Sequence, residues 1–235
     1  MSIGPERRAD GVLFDKDGTL FDFNATWVAW VEGLIGQWGG VDPARRAALA
    51  EAVGFDLAAR AFHPASVAIA GTPEETARAL VPLLGLPVTE VVARLNAEAA
   101  RAPMAEAVPL PPLLGGLKAG GLALGVATND AEAPARAHLA AAGVVGMFDF
   151  IAGSDSGHGG KPDPGMCLAF SNATGIAPAR VVMVGDSAHD LVAGRAAGMQ
   201  VVAVLSGLAG AAELAPLADA VLPDIGHLPD WLNAD

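Results

Sequence analysis

A single cysteine, Cys167, leaves this 235-residue chain without a partner for an internal disulfide. An unpaired thiol suits a reducing compartment, and the cytoplasm is the expected location. Its neighbours Met166, Leu168, Ala169 and Phe170 form an apolar helical stretch, so Cys167 is expected to be buried and structural rather than a nucleophile. Basic residues are scarce: 14 Lys and Arg stand against 26 Asp and Glu, a net charge of −12. That balance excludes sequence-independent binding of nucleic acid, which depends on neutralising phosphates with Lys and Arg. It also speaks against an anionic membrane surface. It does not exclude a small anionic substrate, because a divalent metal inverts the local sign. Long apolar runs are missing too. The longest uncharged stretch, 196–212, has 17 residues and includes Gln200, Ser206 and three glycines, short of the ~20 apolar residues of a spanning helix. Glu6, Arg7, Arg8 and Asp10 near the start do not fit a secretory leader. With 52% hydrophobic and 17% charged residues, the chain has the composition of a globular protein with a sizeable core.

The pattern along the chain changes twice. Residues 11–14 (Gly-Val-Leu-Phe) are a short apolar run before a polar, glycine-containing turn, which reads as a buried strand ending in a functional loop. Residues 24–107 read as helices alone. Trp27, Trp30, Val31, Leu34, Ile35 and Trp38 fall on one helical stripe, and core packing rather than a ligand platform is expected of it. Thr72-Pro73-Glu74-Glu75 has the form of a capping box with proline in the first turn. Thr89 is expected to cap a further helix through Val91, Val92 and Leu95. From about residue 110, short apolar runs at 122–127, 148–152, 181–184 and 201–205 alternate with helical stretches near 131–142, 164–174 and 189–197. Alternation of this kind predicts a parallel sheet with helices on both faces, joined by the first strand, with 24–107 as an insert. The expected division is a core of 1–23 and 108–235 and a helical unit of 24–107, hinged near 20–24 and 107–111.

Ligands bind such sheets beyond the carboxyl ends of the strands. The residues there are Asp15 and Asp17, then Thr128, Asn129 and Asp130, then Ser154 and Asp155, then Gly185, Asp186 and Ser187. One Asp after a strand is ordinarily a helix cap, but several strand ends converging on carboxylates, a hydroxyl and an amide point to chemistry. Asp15 and Asp17, two residues apart, point the same way if the strand continues. Crowded carboxylates repel and call for a shared divalent cation or a proton, and hard oxygen ligands favour Mg²⁺. Gly18 permits the turn and Thr19 can bond its backbone.

Asp15-Lys16-Asp17-Gly18-Thr19-Leu20 resembles the first signature of the haloacid dehalogenase-like phosphohydrolases. Thr128-Asn129 resembles the second, Lys161 in Gly160-Lys161-Pro162-Asp163-Pro164 the third, and Gly185-Asp186-Ser187-Ala188-His189-Asp190 the fourth, in the family's order. The resemblance implies a Rossmann-like core with an inserted helical cap, and it implies roles. Asp15 would be the nucleophile that forms an aspartyl-phosphate, and Asp17 the general acid and then base. Mg²⁺ would be held by the Asp15 carboxylate, the Asp17 carbonyl and Asp186. Thr128, Asn129 and Lys161 would bind the phosphoryl group. Asp190 would orient a metal-bound water or Lys161 from behind, or merely cap the following helix. Lys16 stands where the family usually has an apolar residue. Its side chain is expected to point away from the nucleophile, with no catalytic role, and His158 and His189 are given none.

The insert resembles the cap of the phosphoglycolate phosphatase and β-phosphoglucomutase branch. This implies a lid that excludes water and selects the leaving group of a small phosphorylated metabolite. Phe21-Asp22-Phe23-Asn24 keeps the branch's acid but lacks its usual Ser and Pro. Arg60 and His63, in Arg60-Ala61-Phe62-His63-Pro64, are the candidates for gripping a substrate carboxylate. Phosphoglycolate phosphatase-like hydrolysis is the reading adopted. A β-phosphoglucomutase-like phosphotransferase is the nearest alternative. A phospho-aspartate receiver module is another, though receivers lack both the insert and an acid two residues after the nucleophile. A catalytically dead binding protein would not keep all the chemical positions.

Overall fold

The computed structural model describes residues 7–63 and 66–234. Residues 1–6, 64, 65 and 235, which include Glu6 and Pro64, lie outside the described part. Strand β1 (Gly11–Phe14) leads into α1 (Phe23–Gly39) and α2 (Pro43–Ala52). A hairpin of two-residue strands follows, β2 (Phe55–Asp56) and β3 (Ala61–Phe62), and then α3 (Val67–Ala70), α4 (Pro73–Leu84) and α5 (Val88–Ala99). The chain next alternates: α6 (Leu110–Ala119), β4 (Ala123–Ala127), α7 (Glu132–Ala141), β5 (Phe150–Ala152), α8 (Gly165–Thr174), β6 (Val181–Gly185), α9 (Ala188–Ala196), β7 (Gln200–Val204), α10 (Ala211–Leu214), β8 (Ala220–Leu222) and α11 (Leu228–Asn233).

Six strands form one parallel sheet in the order β5-β4-β1-β6-β7-β8. β1 is central, with Phe14 level with Val126 of β4 and Val184 of β6. Alternate residues feed two cores. Val12, Phe14, Val126 and Val184 face α6, α7 and α11. Leu13, Ala127 and Met183 face α8, α9 and α10. Burial on both faces is why these strands read as continuous apolar runs. Cys167 of α8 is buried in the second core, and burial pushes its thiol up to about 12, as befits a structural cysteine. Among the described residues no single helix is long and apolar enough to cross a membrane.

The helical segment packs round its own apolar cluster, in which Val31, Leu34 and Ile35 of α1 meet Leu49, Leu80, Val91 and Leu95. The two chain crossings to it run side by side: the Asp22 amide donates to Ala105 O at 2.9 Å and the Ala107 amide to Leu20 O at 3.0 Å. The capping box at Thr72 and Glu75 forms. Two readings need correction. The segment is not helical throughout. The β2–β3 hairpin turns on the Asp56 carboxylate, which accepts from the amides of Ala58 and Ala59, on Arg60 at φ 53°, and on the edge-on pair Phe55–Phe62. Two-residue strands carry too little alternation to be seen in sequence. Thr89 does not cap α5, because the helix already begins at Val88 behind Pro87. The stripe on α1 packs as core: Val31, Leu34 and Ile35 belong to this cluster and Trp27 is buried with Phe23 and Ala99, while Trp27 and Trp30 also line a cavity.

Candidate active site

The ends of β1, β4 and β6 bring Asp15, Thr128, Asn129 and Asp186 to one cavity floor, to which the loop before α8 adds Lys161 and α9 adds Asp190, with Asp17 beside them. The Asp15 amide donates to Val184 O at 2.8 Å, which fixes the backbone from which its carboxylate projects. Lys161 arrives from the loop before α8, and its ammonium spends its hydrogens locally. It donates to Asp15 Oδ1 at 2.5 Å, Asp190 Oδ1 at 2.6 Å and Ala127 O at 2.8 Å. The Asn129 side chain clamps the Lys161 backbone, accepting from its amide at 2.7 Å and donating to its carbonyl at 2.8 Å. The carboxamide therefore positions the lysine rather than facing the cavity alone. Thr128 is buried, and its hydroxyl oxygen accepts from the Asp130 amide at 3.1 Å.

Asp190 answers both readings of its role. Its Oδ2 accepts from the amide and hydroxyl of Ser187 at 3.0 and 2.7 Å, which makes the capping box of α9. Its Oδ1 holds Lys161. Asp186 accepts from the Thr19 hydroxyl at 3.3 Å and sits against backbone. A Cβ on Gly18, itself at φ 81°, would lie 2.3 Å from Asp186 Oδ2, and one on Gly207 1.7 Å away. Glycine is required at both positions for this approach.

The electrostatics are short of positive charge. Oxygens of Asp15, Asp186 and Asp190 lie within 4.8 Å of one another, so Asp186 and Asp190 join Asp17 in crowding Asp15 with negative charge. Burial pushes Asp15 up to about 7, with Lys161 opposing and Asp190 and Asp17 adding to the rise. Burial, then Asp15 and Asp190, hold Asp186 well above the usual carboxylate range. Lys161 is raised: burial disfavours its charge, but Asp15 and Asp190 more than compensate. Three buried hard-oxygen donors with one ammonium among them fit a divalent cation such as Mg²⁺.

Lys16 is the residue that sequence reasoning undervalued. It does point away from Asp15, yet it is fully buried and grips Asp17, with Nζ 2.9 Å from Oδ1 and 2.8 Å from Oδ2. It also pairs with Asp130 Oδ2 at 3.1 Å and stands 5.3 Å from the centre of the Trp27 ring. His138 Nδ1 lies 3.0 Å from the ammonium, and His138 Nε2 lies 2.7 Å from Ala99 O. That network assigns the ring hydrogen to Nε2, donating to α5, and leaves Nδ1 to accept from Lys16. Burial and the adjacent Lys16 lower the pKa of His138, which favours the neutral ring. The usable signal was a lysine between two aspartates at the end of an apolar strand.

Above the floor the cavity contains about 740 Å³ of space, partly open to solvent. α1 supplies Phe23, Trp27 and Trp30, and α5 supplies Leu95, Asn96 and Ala99. Arg60 and His63 do not line it. Arg60 is exposed and forms a two-bond pair with Glu32 at 2.7 and 2.8 Å, so its guanidinium is spent on the outer surface. Of the histidines set aside, His189 lines the cavity, and His158 packs against Phe150 at 6.3 Å.

Residues 12–204 match the family model for haloacid dehalogenase-like hydrolases. A phosphoglycolate phosphatase of Rhodospirillum rubrum is 33% identical over 228 residues, 94% of this chain and 90% of that protein. A fructose-1-phosphate phosphatase of Escherichia coli is 29% identical over 202 residues, 84% of this chain and 97% of that protein. Among solved structures, CbbY from Rhodobacter sphaeroides in complex with phosphate superposes with a TM-score of 0.71 at 21% identity, covering 96% of this chain and 100% of that one.

Proposed function

The chain belongs to the haloacid dehalogenase-like hydrolases, and we propose that it is a phosphatase that hydrolyses a small phosphate monoester through an aspartyl-phosphate on Asp15. The observation that carries this reading is the Asp15–Lys161–Asp190 chain of bonds beside Asp186. It leaves Asp15 one oxygen for attack and fixes a positive charge beside it. Asp15 Oδ2 attacks phosphorus, and the bond to the ester oxygen breaks. Asp17 delivers a proton to that leaving oxygen, then takes one from the water that attacks the aspartyl-phosphate. Inorganic phosphate departs and the Asp15 carboxylate is regenerated. The Thr128 hydroxyl and the adjacent backbone amides bind phosphoryl oxygens, and Lys161 neutralises part of their charge. Asn129 and Asp190 keep Lys161 aimed. The Asp15 carboxylate, the Asp17 carbonyl and Asp186 would hold Mg²⁺, which when bound supplies charge neutralisation at the phosphoryl group.

In this reading residues 24–107 are a cap over a core of 1–23 and 108–235. Their separate apolar cluster and adjacent crossings support that division. The relatives support a phosphoglycolate phosphatase-like enzyme acting on a small metabolite. The test is release of p-nitrophenol from p-nitrophenyl phosphate with Mg²⁺, abolished by EDTA and restored by added Mg²⁺. Equal rates with and without chelator would sink the metal assignment, and no release under any condition would sink the phosphatase.

A further inference from the structure

The wall of the cavity that α1, α3 and α5 supply is built unlike the floor. Phe23, Trp27, Trp30, Ile69 and Leu95 make it apolar, and among the described lining residues Lys161 and His189 alone have side chains that can carry positive charge. The Lys161 hydrogens are committed at the strand ends, and His189 lies in the first turn of α9 next to Asp190. A carboxylate on the leaving group would lie against aromatic rings, without a counter-ion, in a cavity that already holds Asp15, Asp17, Asp130, Asp186 and Asp190. Burying an unpaired charge there is costly.

The aromatic wall is set in advance. Trp27 is held between the Lys16 ammonium, 5.3 Å from its ring centre, and Trp30, perpendicular to it at 5.0 Å. The Trp30 indole donates to Leu95 O at 3.4 Å, so the ring, not the N–H, is what it offers. One polar atom on this wall is unsatisfied: the side-chain carbonyl of Asn96 is buried with no hydrogen-bond partner. A buried acceptor without a donor is destabilising and rare, and a ligand that brings a donor removes the penalty.

We infer that the leaving-group end of this cavity takes an uncharged phosphate ester that offers a flat apolar face to Phe23, Trp27 and Trp30 and a hydrogen-bond donor to Asn96. The inference rests on the phosphatase reading and departs from the phosphoglycolate-like substrate that the relatives' names suggest.

The test compares kcat/KM for benzyl phosphate, 4-carboxybenzyl phosphate, phosphoglycolate and the three hydroxybenzyl phosphate isomers, all with Mg²⁺. Benzyl phosphate should exceed both carboxylates by at least about 10-fold. One hydroxybenzyl isomer should exceed benzyl phosphate by about 10-fold, as expected for one buried hydrogen bond. Asn96→Leu should bring that isomer's ratio to benzyl phosphate down to about one. A ratio is insensitive to a general folding defect, which lowers both rates together. Phosphoglycolate equal to or better than benzyl phosphate would overturn the inference, most directly if the His189→Ala variant lost that preference. A hydroxyl advantage that survives in Asn96→Leu, or no advantage for any isomer, would overturn the role of Asn96. If no ester at all is hydrolysed, the phosphatase reading has failed instead. Thermal-shift binding of benzylphosphonate against phosphonoacetate then still decides the leaving-group chemistry: stronger protection by benzylphosphonate supports it, and stronger protection by phosphonoacetate overturns it.

Discussion

Replacing Lys16 by methionine keeps an unbranched four-atom stem and removes the ammonium, with its charge and its contacts to Asp17, Asp130 and His138. In the native protein this ammonium lies between Asp17 and Asp130, contacting them at 2.8 and 3.1 Å, and is wholly buried. Removing one partner of a buried ion pair leaves uncompensated charge and costs about 3–5 kcal/mol. For a chain of this size 1 kcal/mol shifts Tm by roughly 2–4 °C, so the expected loss near neutral pH is on the order of 6–20 °C. The pH dependence has a definite sign. Burial holds the Asp130 carboxyl above its ordinary range, and Lys16 opposes that rise. Without Lys16 the carboxyl moves further up, so the folded variant binds a proton more readily than the unfolded chain. Stability then increases as pH falls and the carboxyl becomes neutral. The deficit of Lys16→Met relative to wild type should therefore shrink from pH 8 to pH 5. Urea denaturation at both pH values measures it, and Lys16→Met with Asp130→Asn should recover part of the loss at pH 8. A deficit below about 1 kcal/mol at pH 8, or one independent of pH, would refute the view that Lys16 compensates the buried Asp130 carboxylate.

Three further outcomes follow from the same geometry. Asp15→Asn should abolish both turnover and the covalent phosphoenzyme, whereas Asp17→Asn should still give a burst of p-nitrophenol from p-nitrophenyl phosphate, because a good leaving group needs no acid, and then turn over slowly. Trapping of phosphoenzyme on Asp15→Asn would contradict the assignment of the nucleophile. Gly18→Ala places a Cβ 2.3 Å from an Asp186 oxygen at a residue with φ 81°, so kcat should fall by about 100-fold from displacement of the carboxylate, read in steady-state assays beside an unchanged far-UV spectrum. Arg60→Ala should leave kcat/KM for phosphoglycolate and for an aryl phosphate unchanged relative to each other, since its guanidinium is exposed and paired with Glu32; a selective loss on phosphoglycolate would return Arg60 to the site.

The sheet was legible because its strands are buried on both faces and bounded by glycine and polar turns. Apolar runs at 122–127, 148–152, 181–184 and 201–205 became β4, β5, β6 and β7 within two residues at either end. The strand-end rule then places Asp15, Thr128, Asn129 and Asp186 at the carboxyl edge of that sheet. What escaped depended on contacts between residues far apart in the chain. Lys16 reads in sequence only as a residue turned away from the nucleophile, and only the return of α7 with His138 and of Asp130 after β4 gives it a buried site. The Trp27 and Trp30 rings carry the same helical spacing as Val31 and Leu34. Spacing cannot tell a turn that faces a core from one that faces a cavity, because both surfaces are apolar. β8 and α11 lie beyond the last sequence motif, and the three half-buried residues of β8 give a weak signal. Arg60 drew attention by its charge alone, yet the tight turn it occupies aims it at Glu32.

The two buried lysines also bear on why one anionic floor can hold acid-base and nucleophilic carboxylates apart. Lys161 lies between Asp15 and Asp190, and Lys16 between Asp17 and Asp130. Each catalytic carboxylate thus has its own ammonium and its own second aspartate, and the two sets meet only where Asp15 and Asp17 share the β1 loop. An ammonium shared by two carboxylates leaves each set with an excess negative charge, and Asp186 adds another with no lysine contact among the described bonds. A phosphate ester enters this floor as a further anion, and the apolar wall above offers nothing to offset it. The cost of that approach falls on the Asp15–Asp186 side, where burial already raises both carboxyls. A divalent cation held there would make the floor receptive to phosphate while Lys16 keeps the Asp17 carboxylate in an ion pair of its own. Phosphate affinity should on this argument depend more steeply on the cation than on either lysine: titrating inorganic phosphate by calorimetry with and without Mg²⁺ should give a larger difference than Lys16→Met makes at saturating Mg²⁺, and the reverse order would show that the lysines, not the cation, set the charge of the floor.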